Sequence, residues 1–269
     1  MKFGICVYKD DIPAAERAGY DYVELTVTNV WPEVGENEYL VLKQYLNQFK
    51  VKPEAWRRFL PPNLPVVGPE VDFPKITEFL HITLRRIREL GGEVVVFGSP
   101  LSRNVPDDFS REKACEQILK FLGACCDTGG KNGLVIVIEP IIRRNCNIIN
   151  TVAEALGIAQ ELETLKIRVL ADLYHMWGNN EPPKAVEQAG EYLFHIHMPV
   201  PEIAGLNEPR AINTVFPDYP TRDFMQSLKN IDYDKRISIE DLDRKFMNLE
   251  REAPIVLAHI RKTWEELSR

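Results

Sequence analysis

Cysteine is scarce in this chain and is not arranged for cross-linking. The five thiols, Cys6, Cys115, Cys125, Cys126 and Cys146, are odd in number and show no Cys-x-x-Cys spacing. A chain of 269 residues needs no disulfide staples, so reduced thiols are expected. The adjacent pair Cys125-Cys126 lies in an apolar helical stretch, where packing and redox roles both fit. A basic excess is missing too: the net charge is −7, which disfavours a protein built to grip phosphate backbones. The opening run Met1-Lys2-Phe3-Gly4-Ile5-Cys6-Val7 gives way to Lys9-Asp10-Asp11. That is too little for a secretory segment or a membrane span, and a cytoplasmic protein is expected. No internal repeat, no charged tail and no domain boundary interrupts the sequence.

What the sequence does contain is an alternation of apolar runs and helical patterns. With 45% hydrophobic and 27% charged residues it can bury a large core beneath a soluble surface. Runs at 3–7, 22–25, 93–97, 134–138, 167–171, 193–198 and 237–239 are nearly continuous in apolar residues, as parallel strands covered on both faces require. A weaker run at 51–56 brings the strands to eight. Between them, apolar residues recur at three and four positions, as in Ile76, Phe79, Leu80, Thr83, Leu84 and Ile87, and the last helix is expected over 253–267. Eight strand–helix units in this length predict a single-domain (β/α)₈ barrel spanning 1–269, since that fold uses about 250 residues. A doubly wound sheet is the alternative, but Tyr8-Lys9-Asp10 stands where its Gly-rich nucleotide turn would be.

The connections are asymmetric. Those entering strands are short and marked by glycine, as at Gly19 and Gly91-Gly92, whereas those leaving strands at 26–35, 59–73, 98–109 and 199–220 are long. A barrel gathers all strand-to-helix loops on one end, so that end is expected to carry the function. There the last four apolar runs stop at Glu139, Asp172, His197 and Glu240. Three carboxylates and an imidazole at convergent strand ends suit one divalent ion such as Mn²⁺, Mg²⁺, Co²⁺ or Zn²⁺. Each residue alone also has a plainer role, as a helix cap, a Lys partner or a hydrogen-bonded core histidine. His195 shares a strand face with His197 and is assigned to the core or to support of the site. His81 and His259, both on helices, are assigned surface or packing roles. Trp31, Trp56 and Trp177 fall in or beside the loops of this face, where aromatic rings can stack on a sugar or anchor the loops. Tyr8 follows the first strand on the same face and is expected to contact substrate, and Arg57, Arg58 and Arg103 stand near that face as partners for a phosphate, a carboxylate or a local acid.

These strand ends carry a family likeness. The succession Val137-Ile138-Glu139-Pro140, Asp172-Leu173-Tyr174-His175-Met176, His195-Ile196-His197 and Ile237-Ser238-Ile239-Glu240 resembles the xylose isomerase-like TIM-barrel superfamily. Within it the chain looks most like the sugar-phosphate isomerase/epimerase group that includes ketose 3-epimerases, and the loop segments 98–100, 103–106 and 147–151 extend the resemblance along the whole length. The resemblance implies a metal-dependent isomerase or epimerase of a small sugar or keto-polyol. Glu139, Asp172, His197 and Glu240 would hold one divalent metal, and Glu139 and Glu240 would act as acid and base through a metal-bound enediolate. His175 would contact the substrate. Two departures concern specificity: the stretch beyond His197 lacks the group's substrate-holding arginine, with Arg210 later in the loop as a candidate replacement, and Trp177 stands where the group tends to carry Asn. An inosose-type dehydratase on the same metal and a non-catalytic sugar-binding barrel are the alternatives. The superfamily's trinuclear DNA-repair endonucleases are disfavoured, because 51–57 and 93–98 contain no histidine. The expected partner is therefore a small carbohydrate, with no nucleic acid or membrane and with homo-oligomers possible.

Overall fold

The computed structural model describes residues 1–129, 133–164, 166–201, 203, 219–241 and 248–267. The apolar runs become eight parallel strands: β1 (Lys2–Cys6), β2 (Tyr22–Thr26), β3 (Pro53–Arg57), β4 (Val94–Phe97), β5 (Val135–Ile138), β6 (Ile167–Asp172), β7 (Leu193–Pro199) and β8 (Arg236–Glu240). Each pairs with the next, and β8 pairs back with β1 to close the barrel. The weak run at 51–56 begins its strand only at Pro53, because the Lys50 and Val51 amides donate to the Glu16 carboxylate instead of a sheet neighbour.

Helices α1 (Ile12–Ala18), α2 (Glu36–Leu46), α3 (Phe73–Glu89), α4 (Pro100–Arg103), α5 (Arg111–Gly129), α6 (Val152–Glu161), α7 (Leu173–Gly178), α8 (Thr221–Asn230) and α9 (Leu249–Glu266) fill the connections. The crossover from β6 to β7 departs from the pattern. It is made by the short α7 and a 3₁₀ segment at Pro183–Tyr192. Adjacent prolines, Pro182 and Pro183, withhold two backbone donors at its start, and Gly190 leaves the helical region at φ 47°. No described helix is long and apolar enough to cross a membrane.

Two apolar layers hold the barrel. The larger lies between strands and helices, and a smaller cluster of Tyr22, Ala55, Val94, Val96, Val137 and Leu170 fills the interior. Gly4 makes room for it, since a Cβ there would overlap the Tyr22 ring. Below this cluster the barrel is closed by ions: Arg236 binds Glu54 and Glu93 at 2.6 Å each, and Lys2 binds Glu54 at 2.6 Å. Above it the interior turns polar, toward the carboxyl ends of the strands.

Candidate metal centre

Strand periodicity aims the polar residues inward. On β6, β7 and β8 the pairs Leu170 and Asp172, His195 and His197, and Ser238 and Glu240 each share a face, and Asp172 is registered with His197. Glu139 follows β5, its amide bonded to the Phe97 carbonyl at 3.2 Å. One donor atom from each of Glu139, Asp172, His197 and Glu240 lies within 4.8 Å of all the others, and all four residues are buried. His197 Nδ1 is the hub, standing 3.0 Å from Glu240 Oε2, 3.2 Å from Glu139 Oε1 and 3.9 Å from Asp172 Oδ2. Gly98 leaves space beside the cluster, because a Cβ there would overlap Glu139 Oε2.

Burial and like charge act on these groups together. Burial, then the neighbouring Glu139 and Glu240, push the Asp172 carboxyl well up. Burial also pushes Glu240 up, but His197 and Arg57 outweigh it and bring that carboxyl down to about 2. For His197, burial favours the neutral ring, and Glu24 and Glu240 overcome it to raise the imidazole well above its usual range. Asp172 Oδ1 accepts from the Tyr174 amide at 2.7 Å and caps α7, while its buried Oδ2 has no hydrogen-bond partner. An orphaned carboxylate oxygen among two further carboxylates and an imidazole fits a hard divalent cation.

The centre forms the floor of a 380 Å³ cavity. His175 lines the cavity with its Nε2 3.8 Å from Asp172 Oδ2, and burial lowers its pKa. Arg57, Arg58 and Ser99 also line the cavity, and both Arg58 (φ 59°) and Ser99 (φ 31°) adopt the left-handed backbone region. Such strain in non-glycine residues is common where a loop is shaped for function.

Several expected substrate contacts stand elsewhere. Trp56 is wholly buried in the layer between barrel and helices, its Nε1 donating to the Pro53 carbonyl at 2.9 Å, so no ligand in the cavity reaches it. Arg103 is likewise without exposed surface. It donates to the Phe97 carbonyl at 2.7 Å and to the Glu139 carbonyl at 2.6 Å, which makes it a clamp on the ends of β4 and β5 rather than a substrate contact. Of the three loop tryptophans it is Trp31 that lines the cavity, with its Nε1 donating to the Phe59 carbonyl at 3.1 Å. Tyr8 is 59% and Trp177 36% exposed, and neither belongs to the cavity wall. Arg210 lies outside the described residues, as does most of the loop 199–220.

Three residues not singled out from the sequence adjoin the centre or support it. Glu24 lies inside the barrel with no exposed surface and accepts from His197 Nε2 at 2.9 Å and His195 Nε2 at 2.8 Å. Its signal was a lone carboxylate in the otherwise apolar run Tyr22-Val23-Glu24-Leu25. Ser238 donates to the same Glu24 carboxylate at 2.6 Å. Cys6, the inward residue at the end of β1, has its sulfur within 4.8 Å of ligand atoms on His197 and Glu240. Arg57, read as an anion partner, gives one N–H to Glu240 Oε1 at 3.1 Å.

Comparison with known proteins agrees with this architecture. The profile of the family described as xylose isomerase-like TIM barrel matches residues 12–263. An L-ribulose 3-epimerase from Methylomonas sp. (strain DH-1) is 25% identical over 240 residues, covering 88% of this chain and 79% of the relative. The crystal structure of D-psicose 3-epimerase with D-tagatose from Clostridium cellulolyticum H10 superposes with a TM-score of 0.80 at 17% identity, covering 98% of this chain and 99% of that one. The IOLI protein with a bound zinc atom superposes with a TM-score of 0.72 at 19% identity, covering 100% of this chain and 99% of that one. With the family profile matched from the first helix into the last, the chain belongs to the xylose isomerase-like TIM-barrel family.

Proposed function

We propose that this chain, as one barrel domain over 1–269, is a divalent-metal-dependent isomerase or epimerase of a small sugar or keto-polyol. The observation that carries the reading is the convergence of Glu139, Asp172, His197 and Glu240 on one point beneath a cavity of 380 Å³. The names of the L-ribulose and D-psicose 3-epimerases support the substrate class. The zinc atom in the IOLI structure supports a metal, with Mn²⁺, Mg²⁺ and Co²⁺ as further ions that suit the same donors. Five free cysteines support a reducing, cytoplasmic setting.

A bound divalent ion would supply Lewis acidity to the carbonyl and hydroxyl oxygens of a ketose. The chain's own residues account for the rest. Glu139 and Glu240 reach the cavity floor from β5 and β8, and in this reading one removes a proton from carbon and the other returns one. Arg57 donates to Glu240 Oε1 at 3.1 Å and favours its ionised form, as a base requires. His175 is kept neutral by burial and presents a ring nitrogen to a substrate oxygen. Arg58 and Trp31 give the cavity one polar and one apolar wall.

The test begins with metal content. Purified wild-type protein is expected to hold near one equivalent of divalent ion, and His197→Ala to hold far less. A screen of ketoses and inososes for solvent deuterium incorporation then identifies the substrate, and product mass separates isomerisation from loss of water. Glu240→Gln is expected to lower exchange by at least about 10²-fold. Full exchange in that variant would remove Glu240 as acid or base, and a wild type that takes up no Mn²⁺, Co²⁺ or Zn²⁺ would remove the metal.

A further inference from the structure

Glu24 is the most deeply buried carboxylate among the described residues, with no exposed surface. It stands two residues beyond Tyr22 on the same face of β2, next to the apolar interior layer that Tyr22 shares with Val96, Val137 and Leu170. Withdrawing a carboxylate from water into such a place costs several kcal/mol unless its oxygens are fully engaged. Here both are. Glu24 Oε1 accepts from His197 Nε2 at 2.9 Å. Glu24 Oε2 accepts from His195 Nε2 at 2.8 Å and from Ser238 Oγ at 2.6 Å, and Tyr22 Oη stands 2.8 Å behind Ser238. The two nitrogens of His197 therefore face different worlds. Nε2 points down to Glu24, while Nδ1 points up to Glu139, Asp172 and Glu240.

We propose that Glu24, backed by His195 and Ser238, is the positioning residue of the metal centre. It holds His197 with the proton on Nε2, so that the Nδ1 lone pair is the donor atom. An imidazole free to turn over would offer either nitrogen, and a carboxylate behind it fixes both the ring plane and the tautomer while making the ring a stronger donor. The interior layer at Glu24 thus serves the layer above it. This inference rests on the metal reading of Glu139, Asp172, His197 and Glu240.

Zn²⁺ alone is the probe, in chelator-competition titrations of wild type, Glu24→Gln and Ser238→Ala, beside long-range ¹H–¹⁵N spectra of the ring nitrogens. With five histidines in the chain the spectra are assignable. The Zn²⁺-loaded wild type is expected to show His197 with a protonated Nε2 and a metal-shifted Nδ1. Glu24→Gln, which preserves shape and removes the charge, is expected to weaken Zn²⁺ about 10–100-fold with an unchanged near-ultraviolet spectrum. Ser238→Ala removes one hydrogen bond to Glu24 and is expected to weaken Zn²⁺ by roughly 3–10-fold; it carries the test if Glu24→Gln does not fold. Ligation through Nε2, or wild-type affinity in the folded variants, would overturn the role of Glu24 while leaving the metal centre standing. Failure of the wild type to bind Zn²⁺ would overturn the metal reading and this inference with it.

Discussion

At Arg103 a guanidinium with no exposed surface donates to the carbonyl oxygens of Phe97 and Glu139, with Ile149 at 3.4 Å. Those carbonyls stand at the end of β4 and just beyond β5, and losing the guanidinium removes a charged donor from each. Arg103→Met is therefore expected to cost about 3 kcal/mol of stability. Because the clamp grips the Glu139 backbone directly, Zn²⁺ affinity should fall as well. Urea denaturation and a Zn²⁺ titration check the two effects, and an unchanged midpoint would show the clamp to be dispensable. Residue type alone did not reveal this role. An arginine beside a functional loop reads equally well as an anion partner or a backbone clamp, and burial decides between them. The same holds for Trp56, which stands next to the last residue of β3 and close to the loop that follows, but whose ring turns outward from the barrel into the helix layer. Glu24 sits in mid-strand, where the sequence carries no strand-end signal and only burial shows its role.

The elements themselves were far more legible than the pairings among side chains. Near-continuous apolar runs mark parallel strands covered on both faces, and all eight strands overlap the expected positions. The β6 to β7 crossover was harder, since its apolar residues Ala185, Val186 and Ala189 are buried without an α-helix to carry them. One carboxylate ties this crossover to its neighbour. Glu181 Oε1 accepts from the Val152 amide at 3.0 Å, in the first turn of α6, and its Oε2 is buried without a partner. Burial, opposed by that hydrogen bond, pushes the Glu181 carboxyl up to about 7. A carboxyl raised in the folded state binds its proton more tightly there than in the unfolded chain. Its contribution is present in full below the unfolded value and is lost as pH rises through about 7. Glu181→Gln keeps the acceptor and removes the ionisation, so it should raise stability at pH 8.5 by about 1 kcal/mol, or roughly 2–4 °C in melting temperature, and change little at pH 4.5. Thermal melts at the two pH values test this, and an equal shift at both would exclude ionisation as the cause.

Across the whole molecule the two ends of the barrel do different work. At the amino ends of the strands, Arg236, 8% exposed, joins Glu54 and Glu93 and so ties β8 to β3 and the entrance of β4. Arg236→Gln leaves Glu54 with Lys2 as its remaining cation and leaves Glu93, 45% exposed, to solvent, so it is expected to cost only about 1 kcal/mol while Zn²⁺ affinity stays within about twofold of wild type. A calorimetric melt and a metal titration measure both, and a large loss of affinity would mean that the ends are coupled.

The upper end is itself divided. Among the described residues the four candidate ligands come from the second half of the chain, β5 to β8, whereas Thr28, Trp31, Arg58, Leu60, Ser99 and Leu101 in the cavity wall follow β2, β3 and β4. Substitutions at these loop positions, as distinct from Glu24 and Arg57 on the strands, can reshape what enters the cavity without touching the atoms that would do the chemistry. New substrates can thus be explored by drift or by libraries confined to three loops, with the reaction itself inherited intact.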